Sequence, residues 1–307
     1  MMPRPGALFE FPILCLFCLA LFPAQIAAGE IELTQADGSV LELDSEAERV
    51  ITLAPNLAEM MFDAGAGSRL MATVEHSNYP DEAARLPRIG DAFRFDLEQI
   101  MALQPDLVIA WNSGNPAAAL ERLESLGLKV WKTELRHPAD IAVLLENIAL
   151  ATGSGAHGRQ AALAVRRKLK LLTERYAGAA PVRYFYQVSE RPLFTLNGEH
   201  IVSQGLALCG GHNVFADEPV LAPQITRESV LLANPDVLIA PRLPQSAGPL
   251  DHWRSWPRLL AVQNDALITL PADQISRATT RMLDSLEIAC TLLDQFRSRK
   301  PKDGEES

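Results

Sequence analysis

What the chain lacks narrows the reading first. Lys and Arg number 28 against 38 Asp and Glu, a formal net charge of −10. With no basic excess, binding that works by neutralising phosphates is excluded, and so is a surface that sits on anionic lipid. After residue 30 no apolar run approaches the roughly 18 residues a membrane span needs, which excludes a polytopic membrane protein. There is no G-x-G-x-x-G opening a helix, no P-loop, no G-x-S-x-G and no H-E-x-x-H. The six histidines (His76, His137, His157, His200, His212, His252) form no pair at metal-ligand spacing, so no metal centre is expected. Nothing brings Ser, His and Asp together as a triad. These absences point away from catalysis. What remains, 307 residues with 48% hydrophobic and 21% charged, is the composition of a folded protein of about two domains.

The first 28 residues read as a secretory signal peptide. Arg4 precedes the apolar run from Phe11 to Phe22, and the small residues Ala24, Ala27 and Ala28 follow. Pro12 and Pro23 bracket the run and argue against a buried helix. Leu14 and Phe17, before Cys15 and Cys18, are too bulky for a lipoprotein cleavage site, so a soluble exported protein is expected. Signal removal leaves Cys209 and Cys290, an even pair in an oxidising compartment. They form either a disulfide, closing a loop of about 80 residues, or two buried thiols.

Strands alternate with helices along the rest, which indicates an α/β fold with mostly parallel sheet. A hairpin with a two-residue Asp37-Gly38 turn is expected between Ile31 and Leu43. Strands are expected at 49–54, 70–74, 107–111, 129–131, 183–188 and 237–240. Helices are expected at 57–64, 97–103, 116–126, 139–152, 201–208 and 278–297. Residues 158–177 hold few breakers and no strand-forming run and read as one long helix of about 30 Å. The segment Asp96–Ala110 recurs without a gap as Thr226–Ala240, with Glu98/Glu228, Pro105/Pro235, Asp106/Asp236, Ile109/Ile239 and Ala110/Ala240 identical. Each copy reads as helix cap, short helix, Pro-Asp turn and buried strand. The simplest architecture is two α/β lobes joined by one rigid helix: signal 1–28, N-terminal lobe 29–155, linker helix 156–180, C-terminal lobe 181–299 and a disordered tail 300–307. A cleft between lobes is a preferred ligand site.

Aromatic and polar side chains gather at expected strand ends, where open α/β sheets bind ligands. Trp111 ends a strand just before Asn112-Ser-Gly-Asn115. His76 and Tyr79 follow another strand, Phe93 and Phe95 precede the helix at Leu97, and Phe194 lies in a loop of the second lobe. Such residues suit a flat ring system, held by area and stacking.

The stretches Arg49–Glu59, Ser77–Pro80, Leu97–Trp111 and Cys209–Phe215 resemble the helix-linked substrate-binding proteins of ABC importers, within them the periplasmic cobalamin binders. The similarity runs from about Arg49 to Phe296. It implies a periplasmic monomer, with no catalytic residue and no resident cofactor, that carries cobalamin or a similar large ring ligand to permease subunits. By this resemblance Trp111 and Phe194 contact ligand, and Asp273 and Arg277 lie in a late loop over the cleft. Cys209 and Cys290 match a disulfide pair. Glu98 and Glu228 match the two lobe-tip glutamates that dock on the permease, and are expected to lie away from the strand ends lining the cleft. The chain departs from the pattern at Ala92 and Ala222, where aromatic contacts are missing, and at His76, where a tyrosine falls in the family. A haem or ferric-siderophore carrier, with His76 or Tyr79 on iron, is the alternative on the same scaffold. An exported enzyme is the alternative outside it.

Overall fold

A computed structural model describes residues 1–2 and 30–299; the expected signal peptide and tail, with Cys15 and Cys18, lie outside the described residues. Strands β1 (Ile31–Thr34) and β2 (Val40–Leu43) pair antiparallel, with Thr34 opposite Val40. The expected two-residue turn is instead a loop of residues 35–39. Gly38 takes a left-handed φ of 84°, and the Asp37 carboxylate accepts the Ser39 N–H at 2.9 Å. Tertiary pairing overrides the local Asp-Gly preference: the Ala36 N–H donates to the Lys132 carbonyl at 2.8 Å and the Trp131 indole to the Thr34 carbonyl at 2.9 Å. The hairpin thereby covers a sheet edge that would otherwise be open.

The N-terminal lobe is built from β3 (Val50–Thr52), β4 (Leu70–Ala72), β5 (Leu107–Trp111) and β6 (Val130–Thr133), with α1 (Pro55–Asp63), α2 (Asp81–Ala84), α3 (Leu97–Leu103), α4 (Ala117–Ser125) and α5 (Asp140–Thr152). The strands are parallel in the order β4-β3-β5-β6. Pro55, expected to close a strand, opens α1, where its fixed φ is pre-set for a first turn.

After α6 (Gly155–Arg175) the plan repeats. The C-terminal lobe has β7 (Val182–Tyr186), a short hairpin of β8 (Ser189–Glu190) and β9 (Leu193–Phe194), β10 (Gly211–Asn213), β11 (Val237–Arg242) and β12 (Leu267–Pro271). Its helices are α7 (Ile201–Ala207), α8 (Arg227–Ala233), α9 (Leu260–Gln263), α10 (Ala272–Ile275) and α11 (Thr280–Arg299). The parallel order is β10-β7-β11-β12, the same permutation as the first sheet.

The repeated segment is repeated structure. Helices α3 and α8 each span seven residues and end on a left-handed cap, Gln104 (φ 47°) and Asn234 (φ 42°). An arginine at the start of each parallel sheet's first strand, Arg49 just before β3 and Arg183 within β7, seals the helix end. Arg49 Nε donates to the Gln104 carbonyl at 3.0 Å and its Nη2 to Leu103; Arg183 Nη1 and Nη2 donate to Asn234 and Ala233 at 3.3 and 2.6 Å. The Asp of each Pro-Asp turn accepts that arginine's own N–H, Asp106 at 2.9 Å and Asp236 at 3.1 Å.

Alternation along the central strands sorts side chains to two faces. Leu107 and Ile109, like Val237 and Ile239, enter one continuous core that includes Ala162, Val165 and Leu172 of α6. Val108 and Ala110 face a second core on the N-terminal lobe, and Leu238 and Ala240 a third on the other. The linking helix is thus packed into both lobes. Among the described residues no helix is long and apolar enough to cross a membrane.

Candidate functional site

In parallel sheets, the loops leaving the strands' carboxyl ends form one rim per lobe. Trp111 closes β5 there and is half-buried. Its N–H donates to Asn115 Oδ1 at 2.7 Å, while Asn115 Nδ2 donates to the carbonyls of Leu53 at 2.9 Å and Ala92 at 2.8 Å. Asn115 is buried, and it ties the ends of two strand segments to the 91–94 loop. A Cβ on Gly114 would stand 1.9 Å from Trp111 Cε3, so only glycine lets the indole lie where it does. In that loop the Asp91 carboxylate accepts the N–H of Phe93 (2.7 Å) and Arg94 (2.8 Å). These bonds lower its pKa and leave Phe93 projecting, 69% exposed.

His76, Tyr79, Asp273 and Arg277 come together, although nearly 200 residues separate the two pairs. Arg277 does not stand free over a cleft. Its Nη1 donates to Glu59 Oε1 and Asn78 Oδ1, both at 2.7 Å, and its Nη2 to the His76 carbonyl at 2.9 Å and Asp273 Oδ1 at 3.2 Å. Arg281 donates to Glu59 through Nε (3.0 Å) and Nη2 (2.6 Å), and its guanidinium lies 3.8 Å from the centre of the Tyr79 ring. Glu59, on α1, is 1% exposed. Beside it, Thr280 donates to Asp63 at 2.8 Å, and burial raises the Asp63 pKa.

Phe194 sits half-buried on β9 in the other lobe, its carbonyl accepting the Val188 N–H at 2.9 Å; none of the bonds above reaches it. In the adjoining 197–200 turn, His200 lies within electrostatic reach of Arg136 of the first lobe. Burial, with a smaller push from Arg136, takes the His200 pKa down to about 4. Neutral His200 Nδ1 accepts the Val202 N–H at 3.2 Å and caps α7. The unfolded chain takes up this proton first, so His200 lowers stability as pH falls from about 6.5 towards 4. Urea denaturation at pH 7.5 and pH 5 should show about 2 kcal/mol more loss in wild type than in His200→Asn, which keeps a capping oxygen. Equal losses would remove His200 from the account.

Glu98 and Glu228 are both exposed in the first turns of α3 and α8, and among the described residues neither forms an ion pair. Their expected position away from the strand ends is corrected. A helix joining parallel strands runs back across the sheet, so its first turn lies at the edge where strands end. Both carboxylates therefore stand at the edge of their sheet where the strands end. Cys209, after α7, and Cys290, on α11, form a disulfide with Cα atoms 5.4 Å apart. Among the described residues no group of three or more His, Cys, Asp or Glu could hold a metal ion.

Glu59, Asn115 and Arg281 were not legible as site residues. Glu59 did leave a trace: it is the one charged residue among Leu57, Ala58, Met60 and Met61, which are all buried.

Twin parallel sheets in two lobes, with aromatic and hydrogen-bonding groups gathered at the strand ends of the first, suit a two-lobed ligand-binding protein. Residues 50–274 match the periplasmic binding protein family, and the chain belongs to it. It is therefore a binding protein and not an enzyme. Over 256 residues it is 39% identical to the vitamin B12-binding protein of Vibrio cholerae, covering 83% of this chain and 92% of that one. It is 34% identical over 273 residues to the vitamin B12-binding protein of Yersinia pestis, covering 89% and 94%. The crystal structure of the Vibrio cholerae periplasmic vitamin B12 binding protein superposes with a TM-score of 0.78 at 38% identity, over 82% of this chain and 99% of that one. The periplasmic haem-binding protein of Roseiflexus shares the fold, with a TM-score of 0.70 at 22% identity over 81% and 99%.

Proposed function

We propose that the protein captures cobalamin between its lobes in the periplasm and delivers it, as a soluble monomer, to the permease of an ABC importer. Cobalamin is cargo here and not a cofactor. The observation that carries this reading is the 39% identity to a vitamin B12-binding protein across nearly its whole length. The site agrees with it. Trp111 and Phe93 are held at one rim by backbone bonds, so their rings are positioned before any ligand arrives, which lowers the ordering entropy of binding. In this reading Phe194, half-buried on β9, is the ring that the other lobe contributes. His76 and Tyr79 supply the side wall, and Asp273 and Arg277 fasten it. Glu98 and Glu228 dock on the permease.

Calorimetric titration with cyanocobalamin should give saturable one-to-one binding. Trp111→Ala removes the largest ring at the first rim and should weaken binding at least tenfold, the scale of an aromatic anchor. No heat with cobalamin, beside tight haemin binding whose Soret shift is lost in His76→Ala, would replace this reading with a haem carrier.

A further inference from the structure

We infer that Glu59 is a positioning residue for the cleft: it is the pivot of an interlobe clasp that sets the His76–Tyr79 loop from the opposite lobe. That loop belongs to the first lobe, where Arg88 Nη2 holds the Ser77 carbonyl at 2.8 Å and the Ser77 hydroxyl bonds Thr73 at 2.9 Å, yet the groups on His76, Asn78 and Tyr79 come from the second. Arg277 holds the His76 carbonyl and the Asn78 side chain, and Arg281 stacks on Tyr79. Both arginines are aimed by one buried carboxylate. Glu59 Oε1 accepts from Arg277 at 2.7 Å and from Arg281 at 2.6 Å, while Oε2 takes Arg281 Nε at 3.0 Å. The arrangement is a relay from α1 across to α10–α11 and back to the loop after β4. Glu59 and Asp273 face Arg277 and Arg281, with Asp63 beside Glu59.

Charge-assisted, forked bonds of this kind are directional and fail over a small displacement. A slight separation of the lobes therefore withdraws both arginines and loosens His76, Asn78 and Tyr79, while Arg88 and Thr73 keep Ser77 in place. Movement imposed from outside is converted into loss of the wall that carries His76 and Tyr79. The clasp favours retention while the lobes are together and promotes release once they part. The release step rests on the proposed binding function; the clasp itself does not.

The test is hydrogen–deuterium exchange of ligand-free wild type and Glu59→Gln, followed by stopped-flow kinetics with cyanocobalamin. Gln keeps the shape but loses the charge and one acceptor oxygen. Exchange at amides 76–79 should rise about tenfold while β7 and α7 stay as in wild type. Cobalamin should leave about tenfold faster, with the association rate within about twofold. Unchanged exchange at 76–79 overturns the clasp, and so does a rise spread equally over both lobes. An unchanged dissociation rate overturns its link to release. Should wild type bind no cobalamin, the proposed function fails while the exchange result still decides the clasp. If Glu59→Gln does not fold, Arg281→Gln, at the more exposed end, takes its place with the same outcomes.

Discussion

Reversing both rim charges, Glu98→Lys with Glu228→Lys, abolishes stimulation of the importer's ATPase by the loaded protein. The two carboxylates sit at equivalent positions of duplicated units, each in a helix first turn and each without a competing ion pair among the described residues. A permease with two-fold symmetry can meet both at once. A single exposed carboxylate–arginine pair is worth under about 1 kcal/mol, but desolvated pairs at an interface are worth several, and like charges placed opposite each other repel by a similar amount. Either single reversal should reduce stimulation and the pair should remove it. Cobalamin affinity should move less than about threefold, since among the described residues neither carboxylate is bonded to Trp111, Asn115 or the Glu59 cluster. Their place on the rim makes that second measurement necessary, because a large affinity change would return the glutamates to the ligand site. Full stimulation by the double variant would leave them as ordinary helix-end residues.

The second large effect is on stability. Replacing Cys209 and Cys290 by alanine opens a loop of 81 residues, and the chain-entropy account puts the loss at about 4.5 kcal/mol. For a chain of this size that is a drop in Tm of roughly 10 °C. The bond fastens the end of α7 to the middle of α11, where Cys290 is fully buried. Arg297 reinforces the same corner, its Nε donating to the Ala180 carbonyl at 2.6 Å and its Nη2 to that of Cys209. Calorimetry of the double alanine variant should show the loss in the C-terminal lobe. An unchanged Tm would mean that the noncovalent corner holds alone.

Periodicity and punctuation carried much of the fold. The echo between 96–110 and 226–240 marked matching helices whose limits agree to the residue, because cap, turn and buried strand are all local signals. Residues 158–177 read as continuous helix and lie almost wholly within α6. Edge strands were harder. In β10 (Gly-His-Asn) and β12 the pairing partner supplies the order, and neither segment has a fully buried run to announce it. The hairpin turn is longer than two residues for the same reason: Asp37 and Gly38 still shape it, but pairing with β6 sets its length. At the site, Trp111 was legible as a ring at a strand end followed by turn residues. Asn115 was not, because an Asn after Ser-Gly looks like any turn, and its value lies in two carbonyls, one of them 62 residues away. Arg277 was named for the cleft and turned out to be engaged by Glu59, a partner 218 residues away that no spacing rule could supply.

The chain passes from one sheet to the other by α6, a helix of 21 residues, and the disulfide falls entirely within the second lobe. The two halves of the cleft are therefore tethered partners, and α6 sets the effective concentration at which each meets the other. Because α6 packs into one core with both lobes, it holds the halves near one another, and contacts too weak to hold two free proteins together still form between them. The Glu59 clasp can then be modest, open when pulled and re-form at once, because the helix never lets its two sides diffuse apart.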